Sequence, residues 1–269
     1  MARVRPGEAA NPAPPTVQRI RVRFAKRGRL RFLSHRDVAR SVERAVRRSG
    51  VPVSHSHGFS PHPRISWVGA APTGSASEAE YFEIGLTRPV EPEIVRSALD
   101  AVLPVGLDIL EAVVATPPSL ADRIDASSWS IELPGVAPAA ARAALDALLA
   151  RETLIVERVT PNGRRQVDVR AALVSASVSD GSTGPADDDG NTGVTPEVGA
   201  SSAECAILGA VVRQTTPAVR PDDVLGALDV VAGLKPPVPA KATRMAQGLL
   251  DDRGALADPL GPGRVTAQA

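Results

Sequence analysis

Cysteine is almost missing from this chain: Cys205 stands alone among 269 residues. No disulfide can close within the chain. Neither a cysteine-ligated iron–sulfur cluster nor a Cys-rich zinc site can be built from it alone. Aromatic residues are scarce as well, with two Trp, one Tyr and four Phe. The core must therefore come from Val, Leu, Ile and Ala. Lysine is nearly absent: of 31 basic residues only Lys26, Lys235 and Lys241 are not arginine. With abundant Ala and Pro, that excess can reflect a GC-rich genome, so it is not by itself a phosphate-binding signal. No apolar run approaches the roughly 20 residues that span a bilayer. Residues 1–15 lack the apolar stretch of a signal peptide. These shortages lead us to expect a cytoplasmic protein with no membrane association.

Acids are missing from one region in particular. Residues 1–70 hold 15 Lys and Arg against Glu8, Asp37 and Glu43, a net of +12, while residues 71–269 hold 16 basic and 27 acidic residues, a net of −11. The near-neutral total hides a strongly polarised chain.

In chain order, residues 19–26 alternate. Ile20, Val22 and Phe24 fall on one face, and Arg19, Arg21 and Arg23 on the other, as in a half-buried strand with a basic outer face. Ser34 followed by Asp37 has the spacing of a helix start, and Gly50 ends that helix. Val38, Val42, Ala45 and Val46 form its apolar stripe, with Arg36, Arg40, Arg44 and Arg47 together on the opposite side. Two prolines around His62 fix a rigid, non-helical backbone. Strands follow at 64–71 and 80–86, a helix at 91–103 and a strand at 106–114. The order β-α-β-β-α-β over residues 19–115 is the ferredoxin-like pattern within an α+β class.

A second α+β domain is expected over 127–250, loosely repeating the element order of the first. It comprises a strand at 128–133, a helix at 137–150, strands at 154–159, 166–176 and 204–213, a helix at 221–231 and a short last element. Residues 178–202 are rich in Gly, Ser and Asp, with five acids and no base. They read as a disordered insertion. Residues 1–18 and 251–269 read as a disordered arm and tail.

Two blocks stand out: Leu30-Arg31-Phe32-Leu33-Ser34-His35-Arg36-Asp37 and Gly58-Phe59-Ser60-Pro61-His62-Pro63-Arg64-Ile65-Ser66. With the strand-like EYFEI at 80–84 they resemble the radical-SAM-linked domain-of-unknown-function family. The resemblance is strongest over residues 19–115. It implies association with a separate radical-SAM protein, since one cysteine cannot supply a three-cysteine cluster motif here. It implies no reaction.

All four histidines, His35, His55, His57 and His62, fall between residues 19 and 67. His55 and His57, with His62 close by, have spacing that suits zinc. Yet no acid occurs between Glu43 and Glu78, and the local positive charge opposes a cation, so no metal and no cofactor are expected. His35 and His62 are candidates for a general acid–base pair. The charges fit an anion or RNA site better, formed by Arg31, Ser34, His35, Arg36, Arg40, Arg44, Arg47, His62 and Arg64. The competing reading of the arginines is a solvated helix face. The scarcity of aromatics leads us to expect backbone and shape contacts rather than base stacking.

The function expected from these features is a non-catalytic RNA-binding accessory protein working with a radical-SAM enzyme in RNA or tRNA metabolism. The alternatives are a metal-independent RNA-processing or modifying enzyme using His35 and His62, and a protein–protein adaptor.

Overall fold

The computed structural model describes residues 14–57, 60–160, 163–181 and 204–264. They form an α+β structure that divides into two units. The first takes in Met1–Thr73, Ala79–Arg123 and Pro259–Ala269, the second Gly74–Glu78 and Ile124–Asp258.

The first unit holds β1 (Gln18–Lys26), α1 (His35–Ser49), β2 (Ile65–Val68), most of β3 (Ala76–Leu86), α2 (Pro92–Asp100) and β4 (Ile109–Val114). A 3-10 turn, Gly28–Phe32, joins β1 to α1. Helix α1 starts where Ser34 Oγ accepts the Asp37 N–H and stops at Gly50, whose φ of 72° suits a residue without Cβ. Its Val38, Val42, Ala45 and Val46 are buried against Ile20, Val22 and Phe24 of β1 and Phe82, Ile84 and Leu86 of β3. From α2 come Val95 and Leu99. Strand β1 lies between β4 and β3, and β2 pairs with β3 from Ile65–Ile84 to Val68–Tyr81, giving the order β4-β1-β3-β2.

The second unit holds β5 (Ala126–Pro134), α3 (Pro138–Leu149), β6 (Ile155–Thr160), β7 (Gly163–Asp168), α4 (Val169–Ala172), β8 (Leu173–Asp180), β9 (Cys205–Arg213), α5 (Pro221–Ala232), β10 (Lys241–Leu250) and β11 (Leu256–Ala257). Four of these strands make a sheet in the order β10-β5-β9-β8, while β6 and β7 form a separate ribbon. Ile131, Leu133 and Leu208 from the sheet and Leu145, Leu148, Val224 and Leu228 from α3 and α5 are buried. Numbered in chain order within each unit, both four-stranded sheets run fourth, first, third, second.

Several boundaries differ from those read in the sequence. Gln18 already belongs to β1; of the arm expected at 1–18, residues 1–13 lie outside the described residues. The strand expected at 166–176 is two strands broken by α4, whose N-cap is the Asp168 side chain accepting the Ala171 N–H. Residues 178–180, assigned to the insertion, pair with β9 through Val178–Leu208, Ser179–Ile207 and Asp180–Ala206. Residues 182–202 lie outside the described residues.

The expected tail is ordered as far as Arg264. Leu260 is fully buried, Pro259 O accepts from Arg123, and the Arg264 guanidinium makes two hydrogen bonds to Glu111. The sequence hides this because the stretch is rich in Gly and Pro and its anchors are long-range contacts: the pairing of Leu256 and Ala257 with the strand Lys241–Leu250, the Pro259 carbonyl, one buried leucine and one arginine. Among the described residues, no helix is long and apolar enough to cross a membrane.

Candidate functional site

Strand periodicity decides where the charges of β1 go. Arg19, Arg21 and Arg23 share the side of β1 opposite Ile20, Val22 and Phe24, where carboxylates from neighbouring strands meet them. Glu83 of β3 pairs with both Arg19 and Arg21, each at 3.2 Å, and Glu111 of β4 pairs with Arg23 at 3.4 Å. Arg21 is only 3% exposed and also donates to Pro118 O at 2.6 Å. Beside it Arg123 is held by the carbonyls of Thr116, Pro117 and Pro259. Burial, and secondarily the Arg21 charge, lowers the pKa of Arg123 from its ordinary value. The basic outer face expected for this strand is therefore largely a set of cross-strand ion pairs, partly covered by the chain that follows β4.

The arginines of α1 have a different fate. The helix period of 3.6 residues turns Arg36, Arg40, Arg44 and Arg47 away from the buried stripe, and all four are exposed, as is Arg48. Arg40 approaches Asp37 at 3.5 Å and Arg44 donates to Ser41 Oγ. Arg36, Arg47 and Arg48 have no ion-pair partner among the described residues. Their side chains stand free to meet an anion.

The start of α1 is less open. Ser34 Oγ donates to Asp37 Oδ2 at 2.6 Å, and this bond is the first cause holding the Asp37 carboxyl below its ordinary pKa. A carboxylate thus already occupies the first turn, and the Ser34 hydroxyl is engaged with it. Of the residues expected in an anion site, Ser34 is thus engaged within the helix cap itself.

His35 follows Ser34 and lies edge-on to Trp67 of β2, ring centroids 5.3 Å apart. Trp67 in turn packs on Phe24 and Phe82. Under His35 is a cavity of about 10 Å³ lined also by Lys26, Val38, Glu80 and Tyr81. That volume is about one water, so no organic substrate fits it in this form. Lys26 and Glu80 are both buried; Lys26 Nζ donates to Pro72 O and Glu80 accepts the Ala71 N–H. Sequence reasoning passed over both, although the signal was there: Lys26 continues the phase of Ile20, Val22 and Phe24, and Glu80 that of Phe82 and Ile84. A charged residue in phase with an apolar face points to a buried polar contact.

Of the second motif block, Gly58 and Phe59 lie outside the described residues; the segments on either side of them pair before β2, with a bridge between His55 and Pro63. Ser56 N donates to His62 O, His62 N to Ser56 Oγ, and Arg64 N to Ser54 O. The Arg64 guanidinium lies 3.2 Å from His55 O and 3.4 Å from His57 Nδ1. His62 precedes the first residue of β2, whereas His35 covers Trp67 farther along it. Among the described residues no hydrogen bond or ring contact joins His35 to His62: His35 meets Trp67, and the His62 backbone pairs with Ser56. Among the described residues no three His, Cys, Asp or Glu side chains converge as a metal-binding group.

Phe32 ends the 3-10 turn Gly28–Phe32. It is 59% exposed, and the Arg31 guanidinium lies over its ring, 4.8 Å from the centroid. The remaining sequence-derived site residue, Arg31, is thus held beside α1 by this aromatic contact.

A search of the curated proteins found no match. A family model described as "Uncharacterized protein conserved in bacteria (DUF2344)" matches residues 19–221, spanning both motif blocks and well over half of the chain. That description names no reaction, ligand or partner, and the chain belongs to this DUF2344 family.

Proposed function

We propose that this protein is a non-catalytic RNA-binding accessory protein that acts with a separate radical-SAM enzyme in RNA or tRNA metabolism. The observation that carries the RNA reading is the exposed arginine face of α1, where Arg36, Arg47 and Arg48 meet no carboxylate among the described residues. Guanidinium groups along one helix face make charge-assisted, often bidentate contacts to phosphates. The non-catalytic reading is supported by the size of the cavity beneath His35, about 10 Å³. The partner is inferred from the motif resemblance alone. We further read both units as ferredoxin-like; the shared β-α-β-β-α-β order and the fourth-first-third-second strand order support this.

A salt titration of RNA binding tests the proposal. Arg36→Ala with Arg47→Ala removes two unpartnered charges and leaves the buried stripe intact. Affinity should fall on all RNA sequences, and the slope of log affinity against log salt should drop by about 0.7 per lost contact for single strands. Wild-type protein that retains no RNA at low salt, or a double variant that binds unchanged, overturns the reading and leaves the adaptor role in its place.

A further inference from the structure

We infer that Phe32 is a stacking platform for an unpaired base, so that the ligand of the α1 face is single-stranded rather than duplex RNA. This deepens the proposed function and rests on it. One exposed apolar side chain means little by itself; here its surroundings give it a use. The 3-10 turn that presents Phe32 repeats every three residues, which places Leu30 and Leu33 on one side of the turn. Both pack against the core of the first unit. The turn is thereby anchored on either side of Phe32, and the ring is held outward.

Arg31 covers one face of the ring at 4.8 Å, yet the side chain remains 59% exposed. A flat partner can therefore lie on the ring, and the guanidinium nearby adds a cation for it. Arg29 before the ring and Arg36 after it are both exposed and meet no carboxylate among the described residues, so the phosphates on either side of a stacked base find charge. An aromatic face followed by a row of cations is the arrangement by which single strands are held with little regard to sequence. A duplex keeps its base faces stacked inside and offers Phe32 nothing. An apolar side chain of a protein partner would fit the ring alone, and the flanking arginines favour the nucleic acid.

The test uses the full chain, a short oligoadenylate strand and a blunt RNA duplex of equal length. Phe32→Leu keeps apolar volume and removes the ring; Phe32→Trp keeps a ring. Far-UV circular dichroism and melting confirm that both variants fold. The expected result is that Phe32→Leu weakens binding to the strand roughly tenfold, leaves the duplex unchanged and keeps the salt slope, while Phe32→Trp binds the strand as wild type does. Two outcomes overturn the inference and leave the RNA reading standing: Phe32→Leu binds the strand as well as wild type, or it loses strand and duplex equally. Wild type that retains neither RNA at low salt overturns the RNA reading itself, and the stacking role falls with it.

Discussion

Strand β1 and helix α1 are neighbours in the chain and equally rich in arginine, yet their charges end in opposite conditions. The side chains of β1 project onto a sheet surface where β3 and β4 lie alongside, and Glu83 and Glu111 meet Arg19, Arg21 and Arg23 there. Among the described residues the outer face of α1 has no neighbouring strand, and its arginines are exposed. A count of charges over residues 1–70 treats the two alike. The difference teaches that a basic stretch is an interaction surface only where the fold does not supply its counter-charges. The net charge of residues 1–70 therefore overstates what is available to a ligand.

Removing a carboxylate beneath β1 should break this comparison most strongly. Glu83→Gln leaves the 3%-exposed Arg21 with a carbonyl but no counter-charge. Breaking one side of a buried pair costs about 3–5 kcal/mol. Denaturant unfolding should show a loss of that order, with RNA binding by the folded protein unchanged. If Glu83→Gln is as stable as wild type, the β1 arginines are a solvated face like that of α1. The double variant Arg36→Ala with Arg47→Ala should lie within about 0.5 kcal/mol of wild type, because surface changes of this kind rarely do more.

The second unit also sets a buried carboxylate against an arginine, and this gives a smaller effect. Asp223, 5% exposed, accepts hydrogen bonds from the Arg158 guanidinium and from the Arg220 N–H at the start of α5. Asp223→Ala removes a helix-start acceptor, worth about 1 kcal/mol, and a charge-assisted hydrogen bond, taken at the low end of about 1.5–3 kcal/mol because Arg158 is partly open to solvent. Unfolding should report a loss of about 2.5 kcal/mol. A loss as large as that of Glu83→Gln would mean that partial exposure of Arg158 affords it no relief.

Much of the first unit was legible because its signals are local. The Ser34 cap, the Gly50 stop, the stripe of Val38, Val42, Ala45 and Val46 and the alternation in β1 each lie within one element, and the structure contains all of them. What the sequence concealed was contact over distance. Arg21 meets Glu83 across 62 positions and Pro118 across 97. The segment ending at Arg264 is held by Glu111 across 153. Periodicity cannot see such partners. The candidate site divided along the same line: the helix face was readable, whereas the packing of His35 on Trp67 joins residues 32 positions apart.

Acid provides the smallest and most selective probe of the exposed side of the comparison. Asp37 on α1 has its pKa lowered, first by the Ser34 hydroxyl and less by the Arg40 charge. Glu93 on α2 has its pKa lowered by hydrogen bonds from Arg96 and Ser97. A carboxylate whose folded pKa lies below its unfolded value stabilises the fold fully above the unfolded value. That contribution disappears as pH falls through the folded one. Both groups should therefore contribute at neutral pH and lose their contribution below about pH 4, and salt should screen the effect because both are open to solvent. Asp37→Asn with Glu93→Gln keeps acceptors at the same positions without the charge. Melting temperature followed from neutral pH into acid should fall less steeply for this double variant than for wild type, with the two curves converging at the acid end. Parallel curves would show that these exposed pairs add nothing. The contrast would then be complete: in this molecule carboxylates stabilise arginines where strands bury them together, and not along the helix face that is open to a ligand.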